Sequence, residues 1–476
     1  MDHPPSPPLR PVQPEDLHRP RYHFTAPRGW LNDPNGIIHD GERWHLYYQH
    51  NPSAAHWGDI HWGHATSRDL LHWQDEPIAL APTPGSPDQG GCFSGCTTVV
   101  DGLPTLHYTG YTPERQVQCA ATSPDWQHWT KRPERTIAEP PPGVGHTDFR
   151  DPYVFQHGGA WYLLVGGSIR SERGLVLLYR SEDGIGWHYL HPLYTAADLT
   201  QGVLWECPNF FPLDGRWVLT VSVWPNLAAR WFVGRFEGER FLPDAEGLLD
   251  LDGGAFAHYT AAAPDGRRLQ WAWMNEQRAQ ARIDARDWAG ALTVPRELLI
   301  DAQGRLGQRP IAELAALRQA PVPIEPTGLA RGERLRFAGR CLDIEATFTL
   351  RDRLKVGLTL LATPDGSGFD AERTRVFFWP DARRLVIERA ASSTDPAVRR
   401  QDLWAHLEVP DGTPLRLRVL LDHSVLEVYA NDAVCLSTRV YPASAASLRA
   451  AAWVDGDADV DLQAWAMGSC HARVVG

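Results

Sequence analysis

The sequence predicts an all-β fold, a five-bladed β-propeller followed by a C-terminal β-sandwich, and two internal repeats carry that prediction. The first is an acidic residue opening a hairpin: Asp33 in WLNDPNGIIHDGERWHLYY, Asp151 in FRDPYVFQHGGAWYLLV and Glu206 in WECPNFFPLDGRWVLTV. Each acid is followed by Pro within two residues, then by an apolar run, a Gly-containing turn and a second apolar run built around Trp, which is the pattern of a β-hairpin. The second repeat is a Ser-then-Asp turn closing on Trp, in HATSRDLLHWQ (64–74), AATSPDWQHWT (120–130) and YRSEDGIGWHYL (179–190). Asp or Ser bonding back to the backbone holds such a turn.

Laid end to end, the repeats mark five units at 30–85, 90–140, 148–198, 203–245 and 255–310. Each is long enough for four short strands, the content of one propeller blade. Equivalent positions of a propeller face its axis, so carboxylates far apart in sequence converge there. Three in one pocket point to acid/base or nucleophilic chemistry. Pro34, Pro152 and Pro208 cannot donate to a ladder and are expected at strand openings.

The propeller is assigned to 21–310. Residues 1–20, with seven Pro, read as a disordered leader without the apolar stretch of a signal peptide. Residues 311–332 read as a linker, helical over IAELAALRQ (311–319) and ended by the Pro-rich APVPIEP. From 333 to 476, alternating segments such as LRLRVLLD and SVLEVYAN read as the sandwich, with two of its strands joined across Asn431 and Asp432.

Composition narrows the partners. A net charge of −12 with no long basic run argues against nucleic acid and anionic membrane. Seven Cys without paired CxxC spacing suggest a reducing compartment, and the cytoplasm is the expected location. Cys92 and Cys96, and His56, His61 and His64, sit among strand and turn residues, so no metal site is expected. Cys207 has no His in a partner role and reads as a small wall of the site. Most of the 20 Trp are expected to pack, leaving two or three to meet a sugar ring. Oligomeric state is unknown from sequence.

Taken in order, WLNDPNG (30–36), YYQHNP (47–52), WGDIHWGHATSRDLLHW (57–73), FSG (93–95), FRDP (149–152), WECPNFF (205–211), GRRLQWAWMNE (266–276) and WAGALTVPREL (288–298) closely resemble the motifs of glycoside hydrolase family 32, the invertase, inulinase and levanase group. The resemblance covers nearly all of the chain beyond its leader. It implies a retaining glycosidase that releases β-linked fructose without a metal or organic cofactor. By the same resemblance Asp33 is the nucleophile, Glu206 the general acid/base and Asp151 the transition-state stabiliser, with Asn32, Gln49, Trp57, Phe93, Ser94, Arg150 and Trp288 holding fructose. The chain departs from the family at AFAHYTA (255–261), which replaces a DFYA-like stretch; Tyr259 is expected to keep the aromatic role.

The chemistry sets further expectations. Retention needs the two working carboxyl groups about 5 Å apart. Glu206 must carry a proton near neutrality although a free Glu titrates at about 4.3. Two neighbouring carboxylates and burial under Trp205 are expected to raise it, and Arg150 is expected to keep Asp151 charged. The expected substrate is sucrose or a short fructo-oligosaccharide. Sucrose 6-phosphate, with Arg282 and Arg286 as candidate phosphate contacts, is the alternative, together with fructan hydrolysis, fructosyl transfer and sugar binding without turnover.

Overall fold

The computed structural model describes residues 16–250, 254–327, 332–364 and 370–471. Five antiparallel sheets follow one another along the chain, over 29–80, 91–131, 144–195, 204–250 and 255–310. In each, the first strand forms one side and the others are added outward in order, and the first strands of neighbouring sheets touch around a ring. This is the five-bladed propeller. The ring closes where Trp288 and Ala289 of the fifth unit pair in parallel with Gly29 and Trp30 of the first.

The repeated Ser–Asp turn has the same construction three times. Asp69 accepts the amides of Leu71 and His72, Asp125 those of Gln127 and His128, and Asp183 those of Ile185 and Gly186. In each, the preceding Ser donates to the same carboxylate. One side chain thereby replaces the backbone partners that a tight turn lacks.

The second domain is a sandwich of a six-stranded and a seven-stranded sheet enclosing an aliphatic core that includes Ile344, Leu358, Val376, Leu417 and Leu436. Asn431 and Asp432, with φ of 51° and 55°, make the left-handed turn between Val425–Ala430 and Val434–Arg439. The expected linker proves shorter than 311–332. Ala312–Leu317 is a 3₁₀ turn burying Leu314 and Leu317, whose three-residue spacing suits that tighter helix. Arg318–Pro321 and Glu325–Pro326 already belong to the two sandwich sheets. Residues 328–331 lie outside the described residues.

The leader expected over 1–20 is corrected at its end. Residues 1–15 lie outside the described residues, but Asp16 to Pro20 are tied down. Asp16 bonds the Trp288 indole and pairs with Arg286, and the backbone of His18 accepts from Ser424 of the sandwich.

Just beyond, a fully buried ionic network joins this N-terminal strap, residues 16–23, to propeller and sandwich. Asp422 accepts the amides of Arg21, Tyr22 and His23, and its carboxylate meets His23 Nδ1 at 3.0 Å. His23 Nε2 meets Glu427 at 2.9 Å, and Glu427 takes two bonds from Arg296, which also reaches Asp250. Cys341, Asp422 and His423 cluster closely enough to suggest a metal site, but Asp422 is already filled by the strap.

Burial disfavours a charged His23, yet its bonds to Asp422 and Glu427 prevail and raise its pKa. The stabilisation from the imidazolium is therefore complete below about 6.5 and is lost as pH rises through the raised folded value. Glu427→Ala breaks the tighter of the two ion pairs of buried Arg296, leaving it with Asp250 at 3.4 Å, and leaves His23 with Asp422 alone. It is expected to cost about 3–5 kcal/mol in denaturant unfolding; a loss below about 1 kcal/mol would contradict the account.

Candidate active site

All five inner strands carry one extra residue at the same height. The bulges fall at 32–33, 94, 151–152, 207–208 and 257–258, between Leu31 and Pro34, Phe93 and Gly95, Arg150 and Tyr153, Glu206 and Asn209, and Phe256 and Tyr259. A bulge bends its strand and re-aims a side chain. Asp151, Cys207 and Ala257 have φ of 62°, 48° and 53°, a region that costs a non-glycine residue energy and is held only by its surroundings.

This register corrects the expected equivalence of the three acids. Aligned on the bulge, Cys207 takes the position of Asp151 and Asn32, Glu206 that of Arg150 and Leu31, and Asp33 that of Pro152 and Pro208. The prolines are also corrected: Pro34, Pro152 and Pro208 lie within Gly29–His39, Val144–His157 and Leu204–Leu213 rather than at strand openings. Pro152 and Pro208 fall inside a bulge, where the ladder is interrupted, and Pro34 directly after one, so residues without an N–H are accommodated.

Asp33, Asp151 and Glu206 converge on the axis, the first two joined through Cys207 and the third bonded to Arg150. Asp33 accepts Ser94 Oγ at 2.6 Å and Asn32 Nδ2 at 3.0 Å. The Cys207 thiol lies 3.7 Å from Asp33 Oδ2 and 3.5 Å from Asp151 Oδ2, and the Cys207 amide donates to the same Asp151 oxygen at 2.9 Å. Thr109 Oγ1 accepts the Asp151 amide at 2.8 Å. Arg150 Nη1 reaches Glu206 Oε1 at 3.0 Å. Cys207 is thus more than a wall: burial first, then the acids around it, push its thiol pKa well up, so it remains a protonated donor between Asp33 and Asp151.

One guanidinium serves three acids. Burial raises Glu206 to about 7; Arg150 opposes this, and the charges of Asp151 and Asp33 add to it. Trp205 is not the cover that was expected: its ring stacks on Tyr194 and its N–H bonds Gln201, on the opposite side of the strand. Asp151 is likewise raised by burial, to about 6, with Arg150 opposing and Asp33 reinforcing. Arg150 favours the ionised form of Asp151, as expected, but burial outweighs it, and the direct ion pair of the guanidinium is with Glu206. Asp33 is raised by burial too, against the bonds from Ser94, Asn32 and Cys207.

The remaining predicted contacts divide. Asn32, Ser94 and Arg150 touch the acids directly, as above. Trp57, 52% exposed, meets Phe93 edge-on, and Phe93 stacks on Tyr111 at 4.2 Å, which makes an aromatic rim. Gln49 is buried, and its amide is held by the Cys92 carbonyl. Tyr259 is buried, lines a small cleft with Asp151, Ser94 and Cys207, and packs near Tyr153. Trp288 is 2% exposed, with its N–H on Asp16 and the guanidinium groups of Arg278 and Arg439 beside its ring. These surroundings leave it no open face for a sugar. His64, one of the histidines considered for a metal, stacks on Tyr47 in the blade interior.

Sequence reasoning missed Thr109, Gln116 and Tyr111, which sit on outer strands of the second blade without a motif of their own. The step Cys207–Pro208, parallel to Asp151–Pro152, was a readable signal for Cys207.

Comparison with known proteins agrees in extent with this architecture. Residues 23–310 match the glycosyl hydrolases family 32 N-terminal domain and 313–466 match the family's C-terminal domain. Sucrose-6-phosphate hydrolase of Escherichia coli is 34% identical and raffinose invertase of Escherichia coli 35% identical, each over 89% of both chains. Among solved structures, a variant of fructan 1-exohydrolase IIa from Cichorium intybus in complex with 1-kestose superposes with a TM-score of 0.84 at 27% identity, over 96% of this chain and 99% of that one. A β-fructofuranosidase variant from Bombyx mori in complex with sucrose gives 0.79 at 26%, over 96% and 95%. The chain belongs to glycosyl hydrolases family 32.

Proposed function

We propose that this chain is a retaining β-fructofuranosidase that cleaves terminal β-D-fructofuranosides, sucrose and short fructo-oligosaccharides among them. The observation that carries this reading is the clustering of three acids with different partners: Asp33 is held by three donors, and Glu206 is bonded to the Arg150 guanidinium. Asp33 attacks the anomeric carbon while Glu206 passes its proton to the glycosidic oxygen, so the C–O bond to the leaving sugar breaks as the fructosyl ester forms. Glu206, now ionised, takes a proton from water, whose oxygen displaces Asp33 and frees fructose. Ser94 and Asn32 hold the Asp33 carboxylate in place. Asp151 accepts hydrogen bonds from the fructose hydroxyls, bonds that tighten as the ring flattens. Trp57 and Phe93 form the apolar wall. This chemistry uses neither a metal nor an organic cofactor.

The relative in Escherichia coli named sucrose-6-phosphate hydrolase supports a second reading on the same site. The two arginines that the sequence offered for phosphate favour the neutral substrate instead. Arg282 is paired with Asp395 and Arg286 with Asp16, so each already has a counter-charge. Rates on sucrose, its 6-phosphate, kestose, inulin and levan test this. We expect kcat/KM on sucrose to equal or exceed that on its 6-phosphate; a preference of about tenfold for the phosphate, the value of one added charge-assisted bond, would reverse the choice. Fructan hydrolysis and fructosyl transfer use the same three acids and are read from the products of that panel.

A cytoplasmic location is supported by seven free cysteines, six of them buried. No helix among the described residues is long and apolar enough to cross a membrane.

A further inference from the structure

Arg150 is the sole guanidinium bonded to the catalytic acids among the described residues, and its orientation is set from the second blade. Gln116, 2% exposed on Arg115–Thr122, accepts Arg150 Nε at 3.1 Å and the Phe149 amide at 3.2 Å through one amide oxygen. The Thr147 carbonyl accepts Arg150 Nη2 at 2.7 Å. A guanidinium is a rigid planar fork, so holding Nε and Nη2 leaves Nη1 a single direction, toward Glu206. Two residues along the same strand, Gln118 donates to the Phe149 carbonyl at 2.8 Å and accepts Thr109 Oγ1, which in turn receives the Asp151 amide.

We propose that Gln116 is a positioning residue for Glu206: its amide oxygen holds Arg150 in the orientation that places Nη1 on the Glu206 carboxylate. The proposal rests on the reading of Glu206 as the acid/base. Gln118 holds the backbone that presents Asp151 and does not touch the guanidinium, so two neighbouring glutamines divide the work. Without the Gln116 oxygen the guanidinium is held at Nη2 alone, the fork can turn about that bond, and Nη1 leaves the Glu206 carboxylate. Glu206 then holds its proton more tightly, because Arg150 opposes the rise caused by burial. It becomes a weaker acid that is less well aimed.

The test compares the parent enzyme with Gln116→Leu, Gln116→Met, Gln118→Leu and Glu206→Gln by kcat and KM on sucrose across pH, alongside thermal unfolding. Either Gln116 variant is expected to lower kcat by about tenfold or more and to move the alkaline limb up by about half a pH unit, with KM little changed. Gln118→Leu is expected to leave that limb in place. Met preserves the side-chain volume, so at least one Gln116 variant should fold. An unmoved alkaline limb in both folded variants, whatever their rate, would overturn the proposal. If Glu206→Gln itself keeps the limb, the acid/base assignment falls first and the proposal falls with it.

Discussion

Asp33→Asn should abolish turnover of sucrose, lowering kcat by about 10⁵-fold while KM stays within a few-fold. Asparagine has the shape of aspartate, so Asn32 and Ser94 still meet a polar group and the inner strand keeps its bulge. An amide, however, cannot form the fructosyl ester, and the first displacement has no other nucleophile of matching position. Cys207 is the nearest competitor, but its thiol is held protonated by burial and by the acids around it. Steady-state kinetics with a thermal melt to confirm folding give the answer. Residual activity above about a hundredth of the parent would mean that another group attacks.

Glu206→Gln should cost on the order of 10³-fold on sucrose, and far less in the first step of a fructoside whose leaving group needs no proton. With such a substrate the variant should accumulate the fructosyl ester, because the base that activates water is gone. The pH dependence of the parent follows from the same residue. Glu206 must start protonated, so the rate falls as pH rises through about 7. Asp33 must start ionised, so the rate falls again as pH drops through its raised value. Three buried acids around one guanidinium titrate together, so the limbs belong to the group as well as to its members. The alkaline limb should vanish in Glu206→Gln. Equal losses on good and poor leaving groups would remove Glu206 from the acid role.

The fold was legible because its signals are local. The Ser–Asp turn recurs within eleven or twelve residues each time, and the bond that makes it spans two or three. The turn at Asn431 and Asp432 is equally short-range. What could not be read depends on one-residue shifts and on distant partners. A bulge moves every following side chain to the other face, so matching the three acids by their rough place in the repeat put Glu206 where Cys207 belongs. Asp151–Pro152 and Cys207–Pro208 hold the correct register in the third and fourth blades, whereas in the first blade Pro34 lies one residue past the bulge.

Distant partners explain the other corrections. Adjacent residues in a strand point to opposite faces, so proximity in sequence said little about which acid Arg150 would meet. Its partner is Glu206, 56 residues away. Trp288 lies in a recognisable motif, yet its N–H is taken by Asp16, 272 residues earlier, in a segment whose composition suggested disorder. The motif identified the residue without showing which side of the ring wall it would occupy.

The central claim is a double displacement in which Asp33 attacks and Glu206 carries the proton. The most direct measurement is the anomeric form of the first fructose released, followed by NMR before mutarotation. The account predicts β-fructofuranose, with the configuration of the substrate retained through two inversions. Release of the α-anomer would mean that water attacks in a single step, and Asp33 could not then be the nucleophile.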